Sequence, residues 1–384
     1  MRLIMKFDSI VNLPIMMVYV LFPIVSLLGT LIFAIRIDYE PLWLIIIVCI
    51  PLLSKKTKIS KKHFLFYIFL LLLVLIKYII PCFIWWEITS FRPLIMDFKW
   101  VVYLFGSLLW IDLIGMPSKK IIWKAGLFFC WIYILYGVYI IISTKGFNRF
   151  ELISEANYDG FLLLIPFCFL SEIDKNKKDI WLFVIATLMT GSRTGCMVMF
   201  VLLSYLFCRK KPIVILLLLP FGIIYFYFLL FVRDSLDPES IDRYIFFYQS
   251  YLYFSDVDVL SFLFGVSPGI SLDMPVLPSF EWYINNFEEM NNIIGIYSFY
   301  FHSAYIRFAI VWGVPICFLV FIYFFVRFFK IQYLPLKLLL IVIFLQSISL
   351  STFTLTNVSF ILFLVFFIML KAEKEIHRTS FCHE

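Results

Sequence analysis

The stretch "LMTGSRTGCMV", residues 188–198, sets an arginine between two glycines and three hydroxyl side chains in an otherwise apolar run, 180–208. It reads either as one long membrane span with Arg193 inside it, or as two short helices folded back through Gly191 and Gly195. The topology of everything upstream depends on which.

Composition sets the class. Apolar residues make up 63% of the chain and charged residues 15%, against roughly 45–50% and 25% in soluble domains. A hydrocarbon core of about 30 Å needs about 20 helical residues. Runs approaching that length between charge clusters number twelve, near 14–35, 41–53, 63–82, 97–116, 121–143, 159–172, 179–190, 194–208, 212–232, 304–327, 334–351 and 354–370. The expectation is an all-α polytopic membrane protein of about 12 transmembrane helices. Residues 1–232 carry nine spans, 233–303 form one large outer loop, 304–370 carry three more spans, and 371–384 are a cytoplasmic tail. The first run has no small-residue cleavage site and is expected to stay as an anchor. The shorter spans have to be shielded by neighbouring protein or a thinned bilayer.

Positive charge decides the opening question, because Lys and Arg collect on the cytoplasmic side. With a hairpin at 190–195 and both termini inside, 22 of the 32 Lys and Arg residues fall inside and 9 outside, with Lys77 within a helix. With a single span the upstream topology flips, and 14 fall inside against 16 outside. The hairpin is therefore the reading, and its turn faces outward. Ser192 or Thr194 can cap the helix that follows, whose positive end then lies beside Arg193. That combination suits an anion. Snorkelling of a lone arginine to lipid headgroups is the competing account.

Seven of the nine outer cations are arginines, against four of the 22 inner ones. Topology alone would be served by lysine, whereas the planar guanidinium grips phosphate through two hydrogen bonds at once. Of four histidines, only His302 lies outside, directly before Ser303 at the start of the tenth span. A helix N-terminus favours the neutral imidazole, the form able to accept a proton. The alternative is an interfacial histidine bonded to a loop carbonyl.

The outer loop contains "IDRYIFFYQSYLYF", 241–254, which fits a helix lying in the headgroup region with Arg243 at its start. It serves for anchoring, or as an aromatic floor for sugar rings and a polyprenyl tail. Asp256-Val257-Asp258 has the form of a divalent-ion triplet but is better read as a solvated turn in a loop that holds ten carboxylates. No metal site, disulfide framework, phosphate loop or nucleic-acid module can be placed.

"TGSRTG" closing a hairpin, then a large outer loop, then "FHSAYIRFAIVWGV" (301–314) together resemble the bacterial O-antigen polymerase and O-antigen ligase superfamily over the C-terminal two thirds of the chain. The ligase pattern of histidine, small polar residue, nine residues and glycine is met by His302, Ser303 and Gly313. Met197 stands where ligases carry leucine, and Ile316 where they carry Gly, Thr or Tyr. "SEANYDGFLLLIPF" (154–167) is similar to the family segment in which an asparagine, here Asn157, opens the sixth span. "SIDRYIFFYQ" through "FGVSPGI" is similar to its arginine-bearing loop stretch. The resemblance implies a GT-C-like, metal- and cofactor-independent glycosyltransferase of the bacterial inner membrane with a periplasmic active site. Its donor would be a glycan on undecaprenyl pyrophosphate. Arg193, Arg243 and Arg307 would hold the pyrophosphate, with Arg233 and Arg149 in reserve and Ser192 and Asn157 beside them, and His302 would take the acceptor's proton. Polymerase is the expected activity, with ligase as the alternative. A chain-length regulator and a flippase are the implied partners, and nucleic acid is not. From a different class, a lipid-linked oligosaccharide flippase is disfavoured by the large loop and the lack of an internal repeat.

Overall fold

The computed structural model describes residues 10–33, 39–54, 59–80, 88–146, 149–173, 178–208, 220, 242–281, 284–285 and 295–381. Among these there is no strand, and the chain is an all-α membrane protein. Five helices are long and apolar enough to cross a bilayer: α1 (Ile10–Ile32), α3 (Lys61–Ile79), α4 (Phe91–Ile114), α5 (Lys119–Thr144) and α6 (Ala156–Ile173). The others are α2 (Glu40–Leu52), α7 (Ile180–Met189), α8 (Arg193–Cys208), α9 (Asp242–Asp256), α10 (Val259–Phe264), α11 (Ala304–Trp312), α12 (Val314–Lys330), α13 (Leu334–Ser349) and α14 (Thr356–Phe381).

The centre of the bundle is α6. Every residue from Ala156 to Phe167 is buried, because an almost uncharged helix has no face that prefers water and is enclosed on all sides. Around it α5 pairs with α7, α8 with α13, and α4 with α14. Trp43, Trp110, Tyr133 and Phe161 are among the large side chains fully buried in the shared core. A second, smaller core built from Phe246, Tyr253, Phe280, Tyr297 and Phe301 holds together the described part of the 233–303 segment.

The run 180–208 is two helices, as the charge count required. They meet at a turn through Thr190 and Gly191, whose φ of 60° is cheap only for glycine. Helix ends then alternate through the bundle. The hairpin turn shares one end with residues 149–155 and 298–304 and with the turn after α13, while the other end collects Lys119, Glu172 and Tyr333. We call these the hairpin end and the opposite end.

Three expectations are corrected. The expected span 304–327 is broken at Gly313 (φ 89°) into α11 and α12. Here Leu263 approaches so closely that a Cβ on Gly313 would lie 2.2 Å from its carbonyl oxygen. Residues 371–381 do not form a separate tail but continue α14. Lys77 is not the one cation within a helix, since Arg307, counted above as an outer cation, is buried within α11, and the carboxylates Asp97 and Asp159 are buried within α4 and α6. The expected span 212–232 lies outside the described residues, apart from residue 220.

Gly313→Ala would add both left-handed strain and a backbone clash. It should destabilise the protein by about 2 kcal/mol or more, read as a lowered midpoint of thermal unfolding in detergent. An unchanged midpoint would show that the break is not needed.

Candidate functional site

At the hairpin end, four chain segments enter helices side by side. Ser192 caps α8 by accepting from Gly195 N–H at 3.0 Å and donates to Asn157 Oδ1 at 2.9 Å, which ties the start of α8 to the start of α6. The Thr194 and Ser349 hydroxyls are hydrogen-bonded at 2.8 Å, joining α8 to the end of α13. From the following turn, Ser351 Oγ donates to the carbonyl of His302 at 3.1 Å, and Leu350 C=O accepts from Ala304 N–H at 3.0 Å. Ser303 is the N-cap of α11, accepting from Ile306 N–H, and its own hydroxyl donates to Ser347 C=O. The 350–355 turn leads directly into α14. Four helix N-termini, those of α6, α8, α11 and α14, are thus linked by one hydroxyl-rich seam.

Each helix start carries about half a positive charge from unspent N–H dipoles. Their convergence makes a local field that favours anions before any cationic side chain is added. Arg193 sits at the first position of α8, half-buried. His302 lies two residues before α11, half-exposed, with its ring 4.9 Å from that of Phe246 on α9. Arginine and histidine therefore stand on segments held to the same 349–351 stretch, as a shared site requires.

Asp159, in the first turn of α6, is fully buried and accepts from the backbone N–H groups of Leu152, Ile153 and Ser154 and from the Ser154 hydroxyl. It folds the preceding loop back over the helix start. Arg149 in that loop pairs with Glu155 at 3.0 Å, and Glu155 also accepts from Asn157 Nδ2 at 2.6 Å. Gln346, one turn below Ser349, is fully buried, and neither its Oε1 nor its Nε2 has a hydrogen-bond partner within the protein. The seam thus keeps donor and acceptor capacity that the fold does not use.

Arg307 is placed differently from the other arginines. Its Nη2 donates to Asp97 Oδ1 at 3.0 Å and its Nη1 to Thr354 Oγ1 at 3.0 Å, and both charged groups are buried. Asp97 Oδ2 accepts from Tyr78 at 2.9 Å, and Trp100 Nε1 donates to that Tyr78 hydroxyl. This network forms the polar end of a cavity of about 480 Å³, otherwise walled by side chains such as Trp100, Phe321, Phe344 and Phe363.

Of the candidates from sequence, Arg193, His302, Ser192 and Asn157 come together at the hairpin end. Arg149 joins them through Glu155. Arg307 is one helix turn beyond His302 but is engaged by Asp97. Arg243 begins α9, and its side chain lies outside the described residues, as does all of Arg233. The Asp256–Asp258 triplet resolves into a helix cap: Asp258 accepts from Leu260 and Ser261 N–H. Bonds from the Ser261 hydroxyl and backbone hold its carboxyl below the ordinary value. Among the described residues no three His, Cys, Asp or Glu side chains are grouped to hold a metal. Sequence reasoning named Ser192, Thr194 and Ser303 but missed Asp97, Asp159, Glu155, Gln346 and the seam hydroxyls of residues 347–352. The hydroxyls had a visible signal, "QSISLSTFTLTNVS" at 346–359, too polar for an ordinary span boundary.

The chain matches no family model, no curated protein and no solved structure.

Asp159→Ala should leave three buried N–H groups without their acceptor and destabilise the fold by about 3 kcal/mol or more. Asp159→Asn, which keeps one acceptor oxygen, should lose less. Thermal melts of both variants in detergent check the order, and equal losses would refute the capping role.

Proposed function

We propose that this chain is a membrane glycosyltransferase of the O-antigen polymerase kind, acting at the periplasmic face of the bacterial inner membrane. The observation that supports it is the shared seam: one hydroxyl-rich turn holds both the segment of His302 and the helix start of Arg193, among four positive helix ends. The donor in this reading is a glycan on undecaprenyl pyrophosphate and the acceptor a second lipid-linked repeat unit. The acceptor hydroxyl attacks the anomeric carbon and a new glycosidic C–O bond forms. The bond from that carbon to the pyrophosphate oxygen breaks, and undecaprenyl pyrophosphate leaves. His302 takes the proton of the attacking hydroxyl as general base. Arg193, helped by the helix N-termini, stabilises the negative charge that builds on the departing diphosphate, the service an oxyanion hole gives in acyl transfer. Arg243 and Arg233, both in the 233–303 segment, are further candidates to hold the diphosphate in this reading, and Phe246 packs against the histidine ring.

The termini are cytoplasmic and the reaction needs no metal or cofactor in this reading. A ligase that moves finished polymer to the lipid A core would share donor, base and arginines, so the acceptor separates the two. In a deletion strain, one repeat unit on the core means polymerase, whereas an empty core with accumulating lipid-linked polymer means ligase. Unaltered lipopolysaccharide would count against both.

Restoring the gene as His302→Ala should abolish long ladders, a loss of at least about 100-fold for a general base, with the protein still inserted. Arg193→Lys keeps the charge and loses the two-pronged grip, and ladders should again be severely shortened. Normal polymer length in both variants would remove the catalytic assignment.

For topology, Glu151→Cys, exposed at the hairpin end, should react with a membrane-impermeant thiol reagent added from outside. Reaction only after the membrane is opened would invert the orientation.

A further inference from the structure

The short helix α10 lies outside both cores, packed on one side against α11 and α12. It carries no charge and turns its side chains outward: Val259 is 72% exposed, Leu260 68% and Phe264 63%, with Phe262 and Leu263 exposed beside them. Contiguous exposed apolar surface of this kind marks a place that another apolar phase covers. What covers it depends on how deep it lies.

Two neighbours fix that depth. Lys77, near the end of α3, donates to the Phe264 carbonyl at 2.7 Å. From Lys61, exposed at the opposite end, to Lys77 the helix rises only about 24 Å, less than the roughly 30 Å of hydrocarbon in a bilayer. Gly313, at the start of α12, touches the Leu263 carbonyl. From there to Arg327, exposed at the opposite end, no residue is charged, and the rise is about 21 Å. Any tilt shortens both. The C-terminal end of α10 therefore lies within the apolar layer. Asp258, which caps the other end, is exposed and ionised, and lies about 9 Å away along the helix, enough to stay among the headgroups.

Backbone outside a regular span is tolerated at that depth only where its N–H and C=O groups are met within the protein. Here Leu260 and Ser261 N–H donate to the Asp258 carboxylate and Gly265 N–H to the Ser261 carbonyl, which closes α10 at both ends. Val266 N–H then donates to Ile310 C=O of α11 at 2.8 Å. We propose that α10 is inserted into the hydrocarbon of the leaflet at the hairpin end, deeper than the headgroup position expected for 241–254, so that its exposed face is covered by the acyl chains of bulk lipid. The insertion anchors α9, which is joined to α10 through Val257 and Asp258 and whose Phe246 ring lies 4.9 Å from that of His302. The proposal rests on depth, exposure and backbone pairing, and does not depend on the glycosyltransferase reading.

The test uses the full-length protein in phosphatidylcholine vesicles containing a photoreactive phosphatidylcholine, with its diazirine either midway along an acyl chain or in the headgroup. After irradiation, mass spectrometry of the peptides locates the label. The chain probe should label 259–264 as strongly as 318–326 of α12, whose side chains face lipid, and the headgroup probe should label 259–264 weakly. Labelling of 259–264 by the headgroup probe alone would place α10 on the membrane surface and overturn the proposal. Absence of label from both probes, with 318–326 labelled, would mean that protein such as a second copy covers the patch, and would overturn it too. Leu260→Asp, at a position exposed enough to leave the fold intact, should lower chain-probe labelling of 259–264 about tenfold, because a carboxylate in hydrocarbon is expensive and draws the segment toward water. Labelling of 318–326 should be unchanged in that variant. Full labelling of 259–264 in Leu260→Asp would overturn the insertion, and the wild-type measurement decides by itself if the variant does not fold.

Discussion

The hydrogen bond from Ser351 to the carbonyl of His302 belongs to a constraint that shapes the whole hairpin end. Backbone that leaves a helix inside an apolar bundle exposes N–H and C=O groups with no water to meet them, at a cost of several kcal/mol for each one left bare. Among the described residues, α6, α8, α11 and α14 start there and α7 and α13 end there. Ser192, Ser303, Ser351 and Thr352 meet the cost with short hydroxyl side chains that bond backbone groups, and the hydroxyls of Thr194 with Ser349 and of Ser347 with Thr352 bond each other across the seam. Where hydroxyls were too few, the buried Asp159 carboxylate serves three N–H groups at once.

The same constraint explains the short helices. A helix of 10 residues such as α7 or 9 such as α11 cannot cross about 30 Å of hydrocarbon, yet both can end at the seam because other protein encloses them. Depth at the seam is thereby provided by irregular backbone surrounded by protein, the arrangement membrane proteins use to set polar chemistry below the surface. Stopping four helices with their N-termini inward also concentrates positive field in one place, and so the need to satisfy the backbone and the capacity to attract an anion have one origin.

What could be read in the sequence was what depends on local chemistry or on summed charge. The fold-back at Thr190 and Gly191 follows from counting lysines and arginines. The cap at Ser303 follows from a hydroxyl ahead of an apolar run, and the loop helix near 242–256 from its aromatic and polar mixture. The break at Gly313 could not be read, because its cause is the carbonyl of Leu263 across space, and a glycine inside an apolar run looks the same whether it is helical or not. The Asp97–Arg307 pair joins residues 210 apart in sequence, and nothing in either neighbourhood announces the other. Arg307 was legible as a cation near the histidine but not as one already engaged. The hydroxyl run at 346–359 was visible and passed over, since single Ser and Thr residues are ordinary in membrane helices and only their number is unusual.

The two ends of the bundle use charge in opposite ways. At the opposite end, Lys119 bridges Glu172 and the Tyr333 hydroxyl, that hydroxyl bonds Glu172 in turn, and Glu373 takes the N–H groups of Gln332 and Tyr333 together with His377. Each of these charged groups locks a loop to a helix, and the lysine acts as a point charge between fixed acceptors. At the hairpin end Arg149 pairs with Glu155, Arg307 is buried against Asp97, and the side-chain amide of Gln346 has no hydrogen-bond partner within the protein. The two ends therefore differ in how they are tied: one is locked by charged side chains, the other mainly by hydroxyl groups that stitch helix starts to one turn.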